Sequence, residues 1–280
     1  MSPHLLDEAV KTLQKRQGPA TPEAVPVYER LGQAVLGRSM SQEKNSEGEH
    51  ESNVSALREC FYRLGTQYRA LRGLDEKLLQ RMETALMATH YQSMLYSARS
   101  LGLKDIYAKC AVTLLKYPTA VPQDKALYQA GNAARELGNN NLAFMLLNRY
   151  VDVAEAVDSG EPDSRNIDAT DYQTVDAMPL DGPVPPSHYV EDEDDREDIR
   201  TWVLSVVTDS NIEQRFPPRD QARSTLYEGL FASDRATCIV TGYPIYPADL
   251  LEINHSTANR KDWNAYVSKS KVCPWTGAPK

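Results

Sequence analysis

Two stretches near the C-terminal end share one pattern of side chains that can bind metal or close a turn. They are Cys238-Ile239-Val240-Thr241-Gly242 and Cys273-Pro274-Trp275-Thr276-Gly277. In each, a Cys is followed three residues later by a Thr. A Cys-x-x-Cys pair at that spacing grips one metal ion from a single turn. A hydroxyl in place of the second thiolate cannot do so at useful affinity, but it donates and accepts hydrogen bonds within a tight turn. Cys238, Thr241, Cys273 and Thr276 therefore read as residues that close two loops without metal. His255 adds a third soft ligand to Cys238 and Cys273, but zinc sites take four ligands arranged in close pairs, so no metal or other cofactor is expected. The five histidines, His4, His50, His90, His188 and His255, are scattered. They form no His-Glu-x-x-His or Ser-His-Asp arrangement, and the chain has no Gly-rich phosphate loop, so no catalytic residue is assigned.

The elements that must position these loops follow them in order. Tyr243-Pro244-Ile245-Tyr246-Pro247 reads as extended, and Leu250, Leu251 and Ile253 read as a strand leading towards a helix. Asn259 to Val267 reads as an amphipathic helix, with Trp263, Tyr266 and Val267 at i, i+3 and i+4 on one apolar face. A RING-shaped fold closed by hydrogen bonds instead of zinc is a U-box, and 235–280 has the order of elements that such a module needs.

The segment from Cys238 to Pro244, Cys-Ile-Val-Thr-Gly-Tyr-Pro, with Lys261-Asp-Trp-Asn264 downstream, resembles the C-terminal end of the large peripheral subunits of the intraflagellar transport B complex. These are β-propeller and TPR-type helical-repeat proteins of ciliary trains with a U-box-like terminus. The resemblance implies a cytoplasmic protein of the cilium or flagellum and basal body. It also implies other intraflagellar transport subunits as partners and a link to ubiquitin or a ubiquitin-conjugating enzyme. RING and U-box ligases contribute no nucleophile; they grip the charged conjugating enzyme on a shallow apolar surface. Carried over residue by residue, Val240 takes the loop-one aliphatic position, Pro274 the loop-two proline position, and Trp263 the central helix position, with Tyr243 alongside. All four are expected on an exposed apolar patch of the kind that marks an interaction site. Packing in the core of a tiny domain is the other reading of Val240, Trp263 and Pro274. Two departures point to weak ligase activity. Active U-boxes commonly carry a basic side chain three residues after the loop-two Pro, where this sequence has Gly277, and the sequence stops at Lys280 without the helix that often completes the module. The alternative function is a non-enzymatic cap and docking module of the transport train.

The fold class expected is mainly α: a TPR-like helical-hairpin repeat array followed by a small α+β metal-free U-box (RING-like) domain. The repeat array is placed at 1–156. Leu-Gly recurs at Leu31-Gly32, Leu64-Gly65, Leu101-Gly102 and Leu137-Gly138, a period that matches helical-hairpin repeats. Two copies share Ala-Arg-x-Leu-Gly, at Ala98 and at Ala134. The Gly is expected to let the second helix of a pair pack closely, with Ala108 or Ala143 keeping that pair tight. Within this array, about 38–53 is rich in Ser, Glu, Lys, Asn and Gly. Such a composition buries too little apolar area to offset its ordering entropy, so a disordered insertion is expected there.

Length and charge bound the rest. At 280 residues and 41% hydrophobic content the chain has room for roughly two ordinary cores. No apolar run approaches the roughly 20 residues that span a bilayer, and the first residues lack an apolar signal region. The sequence gives no reading of peripheral membrane association. Four widely separated cysteines read as reduced, buried thiols. From Asp152 to Asp198 there are 16 acidic and two basic residues against a whole-chain net charge of -8, so the acid is local. With five prolines as well, 157–195 reads as an extended linker; an acidic ligand for a basic partner is the sharper alternative. Nucleic acid is disfavoured, because phosphate binding needs concentrated Lys and Arg. Two connecting helices are expected over 196–234: one from near Asp194 to about Ser210, with Ile199, Trp202, Val203, Val206 and Val207 inward, and one from Asp220 to about Ala232, with Ala222, Leu226, Leu230 and Phe231 inward.

Overall fold

Helical spacing of apolar residues carries the chain through α1 (Pro3–Lys15), α2 (Val25–Leu36), α3 (Met40–Asn45), α4 (Glu47–Arg69), α5 (Glu76–Ser100), α6 (Lys104–Leu114), α7 (Gln123–Glu136) and α8 (Asn140–Ser159). The computed structural model describes residues 3–15, 25–69, 75–208, 212–253 and 256–280. Successive helices from α4 to α8 pack as neighbours, with α1 and α2 laid across α4. Their buried faces form one continuous core with the C-terminal module. The fold is thus a helical repeat array followed by a small α+β domain.

The shared Ala-Arg-x-Leu-Gly has a local cause that differs from close packing. Gly102 and Gly138 end α5 and α7 at φ +65° and +73°, with open space where a side chain would sit. Each closes the same helix stop. Gly102 N–H donates to Arg99 O and Leu103 N–H to Ala98 O; Gly138 N–H donates to Arg135 O and Asn139 N–H to Ala134 O. This is the left-handed cap that satisfies the last carbonyls of a helix, a backbone conformation that glycine adopts without strain. Among the Leu-Gly glycines the close approach is at Gly32, where a Cβ would meet the Phe61 ring of α4 at 3.3 Å, and a tighter one lies at Gly131, where it would meet Leu147 Cγ at 2.6 Å. Ala108 and Ala143 are fully buried, as their place in tight hairpins requires.

The expected disordered insertion at 38–53 is corrected: it is helical, covering α3 and the start of α4. Its polar residues order because they satisfy buried charge. Lys125 Nζ is completely buried and donates to Leu36 O at 2.6 Å and Glu43 Oε1 at 2.5 Å. The same Glu43 accepts from Tyr96 Oη at 3.2 Å and Tyr189 Oη at 3.0 Å. Burial alone would raise the Glu43 carboxyl, but Lys125 and His50 overcome it and hold it down at about 2. Nearby, Arg38 pairs with Asp7, which also accepts from Asn53 Nδ2 at 2.6 Å. A buried charge persists where it is paired and hydrogen-bonded, and these partners are what a purely apolar count of the segment misses.

The expected extended linker is likewise corrected. Residues 160–192 run back over the array as a packed strap, burying Tyr172, Val175, Met178, Tyr189 and Val190. Tyr189 N–H donates to Asp124 Oδ2 at 2.6 Å and its carbonyl accepts from Met40 N–H at 2.8 Å, tying the strap to α7 and to the start of α3. Tyr172 Oη donates to Met145 O in α8, and Arg149 Nη1 donates to Asp168 O at 2.7 Å. The aromatic and β-branched residues spaced through the acid provide the anchors, while most carboxylates face solvent.

The strap leads into α9 (Glu193–Val207), which starts on an Asp192 cap and packs on α8 through Ile199, Val203 and Val206. Val207, expected inward, is half-exposed. Trp202 is partly buried, with the Arg135 guanidinium 4.7 Å from its ring centre. The second expected connecting helix is replaced by turns and one short 3₁₀ helix, Leu226–Leu230. Ala222, Leu230 and Phe231 are nonetheless buried as the apolar pattern required, and Leu226 is partly so. The module itself has β1 (Leu250–Ile253) and β2 (Ser256–Asn259), paired antiparallel with Leu250 opposite Asn259, and then α10 (Arg260–Ser270).

Candidate functional site

The two Cys-x-x-Thr-Gly loops are twins. Around loop one, Thr237 bridges Pro244, Cys238 N–H donates to Tyr243 O at 2.8 Å, and Gly242 N–H donates to Cys238 O at 2.7 Å. Around loop two, Val272 bridges Pro279, Cys273 N–H donates to Ala278 O at 2.8 Å, and Gly277 N–H donates to Cys273 O at 2.8 Å. Gly242 and Gly277 both take positive φ, +76° and +68°. The repeat therefore extends beyond Cys-x-x-Thr-Gly to Cys-x-x-Thr-Gly-x-Pro in both copies, with Pro244 and Pro279 at equivalent places. That shared proline was a signal available in the sequence.

Hydrogen bonds hold these loops. Cys238 Sγ accepts from Asn259 N–H at 3.2 Å, and Thr241 Oγ1 donates to Asp262 Oδ2 at 3.3 Å. Cys273 Sγ accepts from Thr276 N–H at 3.5 Å, and Thr276 Oγ1 accepts from Ala278 N–H at 3.3 Å. Burial pushes the Cys238 thiol up, against the Thr241 hydroxyl and nearby amides. At Cys273 burial acts in the same direction but is outweighed by the Thr276 hydroxyl and the amides of Thr276 and Trp275, so this thiol lies below the usual range. All four cysteines, including Cys60 and Cys110, are buried free thiols. Among the described residues no three His, Cys, Asp or Glu side chains gather as a metal site; His255 lies outside the described residues.

Loop one is docked face down on the array. Its five consecutive carbonyls each accept from a side chain of α5, of α6, or of the turn just after α6. Tyr91 Oη donates to Cys238 O at 3.3 Å, His90 Nε2 to Ile239 O at 2.7 Å, and Cys110 Sγ to Val240 O at 3.3 Å. Thr113 Oγ1 donates to Thr241 O at 2.7 Å and Lys116 Nζ to Gly242 O at 3.5 Å. Positions 110, 113 and 116 lie one helical turn apart, so a single face of the array supplies three donors in a row. Burial and the nearby Arg58 depress His90 to about 3, so its ring is neutral and carries one donor for the Ile239 carbonyl. The module is further tied by Lys109 Nζ to Asp262 Oδ1 at 2.8 Å, Ser97 Oγ with Tyr266 Oη at 2.9 Å, and Lys269 Nζ to Leu101 O at 2.9 Å.

This geometry corrects the expected exposed patch. Val240 is 0% exposed, and Tyr243 and Trp263 are also buried. Tyr243 reaches Leu226 O with its hydroxyl at 2.6 Å, its ring filling the space beside Gly229. Only Pro274 of the four stays partly exposed, next to the partly buried Trp275. Trp275 sits edge-on to His90 and Tyr62, under the Arg58 guanidinium at 4.7 Å from its ring centre. A groove of about 370 Å³ opens beside it, lined by Tyr62, Met82, Leu86, Ile239, Thr257 and Trp275 among others. Sequence reasoning missed His90, Lys109, Thr113 and Lys116, because a polar residue on an array helix carries no local mark of a partner more than 120 residues away.

No family model matches the chain. It is 31% identical over 278 residues to the Intraflagellar transport protein 172 homolog of Mus musculus, an overlap of 95% of this chain and 15% of that protein. The Danio rerio homolog is 36% identical over 200 residues, covering 69% of this chain and 11% of that protein. Intraflagellar transport protein 172 of Chlamydomonas reinhardtii is 30% identical over 276 residues, 92% of this chain and 15% of that protein. The chain thus spans only a small part of the length of each relative.

Proposed function

From the premise that this chain belongs to the intraflagellar transport protein 172 family, matching one segment of its members, we propose that it works in the ciliary or flagellar transport train. In this reading the helical array offers docking surface to other intraflagellar transport subunits. Residues 235–280 form a U-box-like module that engages ubiquitin or a ubiquitin-conjugating enzyme. The observation that carries the reading is the pair of twin loops, closed by thiol, hydroxyl and backbone hydrogen bonds where a RING would use zinc. Ligase activity through the module is weak at most, for a physical reason. Gly277 sits at φ +68°, so the basic side chain that active U-boxes carry there would strain the turn.

The test is titration of the whole chain with labelled ubiquitin and with a panel of conjugating enzymes. Pro274→Ala should keep the fold and weaken binding by more than about 1 kcal/mol, since a small anchor at an interface can account for that much. Unchanged binding and unchanged self-modification in a folded Pro274→Ala protein would favour a second reading. In that reading the module is a structural cap and docking element of the train without ubiquitin chemistry. The burial of Val240, whose carbonyl accepts from Cys110 of α6, and of Tyr243, packed beside Leu226 and Gly229, is the observation on its side.

A further inference from the structure

Loop one is the least accessible part of the module, although the U-box reading assigns it a partner. Its aliphatic position, Val240, is fully buried. Its carbonyls from Cys238 to Gly242 are taken by Tyr91, His90, Cys110, Thr113 and Lys116. The fit is close: a Cβ on Gly242 would lie 2.2 Å from Thr113 Cγ2. No protein partner can reach Val240 while these contacts stand. Loop two, by contrast, leaves Pro274 partly exposed.

We infer that α5 and α6 are an intramolecular latch: they occupy the loop-one face that a ubiquitin-related partner would use, so that full engagement requires the module to come off the array. This inference rests on the U-box reading above. The latch is partly apolar, within the core that the module shares with the array, and partly polar. Its polar part is the side-chain to carbonyl hydrogen bonds and the Lys109–Asp262 ion pair, each of which water can replace at a modest net cost once the surfaces part. Lys109 is the accessible member, with its side chain 27% exposed against 6% for Asp262. A partner first meets Pro274 and then competes with α6 for loop one. Its apparent affinity is therefore reduced by the fraction of molecules that are open.

Two substitutions on the array side weaken the latch without touching any residue proposed to bind. Lys109→Glu sets a like charge against Asp262, and Thr113→Val removes the donor to Thr241 O while keeping the side-chain shape. In the whole chain, both should speed hydrogen exchange across loop one while the array amides stay protected: its amides at 238, 239 and 242 are bonded within the module, and those bonds open to water more readily once the array no longer buries them. Lys109→Glu should also tighten binding of ubiquitin or of a conjugating enzyme on the order of tenfold, the scale set by breaking a half-buried charge contact. Faster exchange with measurable but unchanged binding would overturn the latch and leave the ubiquitin reading in place. Faster exchange with no binding by wild type or either variant would overturn the ubiquitin reading itself, and the latch with it. Unchanged exchange in both variants would overturn the latch whatever the binding shows.

Discussion

Gly242 and Gly277 hold equivalent places in twin loops and carry different loads. Both adopt positive φ, a region that costs an L side chain roughly 1–2 kcal/mol. A Cβ at Gly277 meets nothing, whereas one at Gly242 runs into Thr113. Gly277→Ala should therefore cost only about 1 kcal/mol, and Gly242→Ala several, adding the clash to the same strain. Chemical denaturation of the two variants measures the difference, and equal destabilisation would mean that docking adds nothing. The glycines could be picked out from the sequence by their place after Thr, but the neighbour that separates them could not. His90 is a second residue of this kind. Its pKa of about 3 lies below the ordinary value of 6.5, because burial in the docked interface, helped by Arg58, disfavours the charged ring. Tyr91 and Trp275 pack edge-on to that ring. The unfolded chain then binds the extra proton first, so stability is fully present above about pH 6.5 and is lost as pH falls towards 3, by up to about 1.4 kcal/mol per pH unit. His50, also lowered chiefly by burial, acts in the same direction, while Glu43 contributes only between its ordinary value and about 2. His90→Gln keeps an amide donor and removes the titration. Urea unfolding between pH 7 and 5 should show a shallower pH slope for this variant than for wild type, and identical slopes would remove His90 from the account.

At the scale of elements, the strap over 160–192 decides how the chain is cut. Its prolines and carboxylates suggest an open linker, yet Tyr172, Tyr189 and Val190 are buried and Tyr189 is bonded through both backbone groups. Limited proteolysis of the native chain should spare this stretch. Tyr189→Ala, which removes a buried ring at a cost of about 3–5 kcal/mol on the scale for large aromatics, should open it to cleavage; rapid cutting of the wild-type strap would show that it is not packed. The regular elements were far more legible. The apolar stripe of α9, the strand at Leu250 and the helix under Trp263 and Tyr266 all stand within a few residues of where periodicity puts them. What periodicity could not give is structure made by long-range polar satisfaction. Residues 38–53 look too polar to fold until Lys125, from a helix about 80 residues on, is seen to need Glu43. The region after Pro218 shows the opposite limit: its apolar residues are buried as expected, but turns and a short 3₁₀ helix present them where a regular helix was expected.

At the scale of the whole molecule, array, strap and module share one buried core. The chain should melt in one cooperative transition, and excess chelator should leave that transition unmoved, because thiol and hydroxyl hydrogen bonds hold both loops. A separate low-temperature step sensitive to chelator, with stoichiometric zinc by elemental analysis, would contradict this. The donors that receive loop one also bear on the order in which the protein is made. His90, Cys110 and Thr113 bond carbonyls 149, 130 and 128 residues later in the chain. During synthesis the array is therefore complete well before the residues that cover these groups leave the ribosome, and closing such distant contacts is slow. A premature stop ahead of Cys238 would therefore do more than remove the module: it would leave an array whose His90, Cys110 and Thr113 donors face an open polar seam.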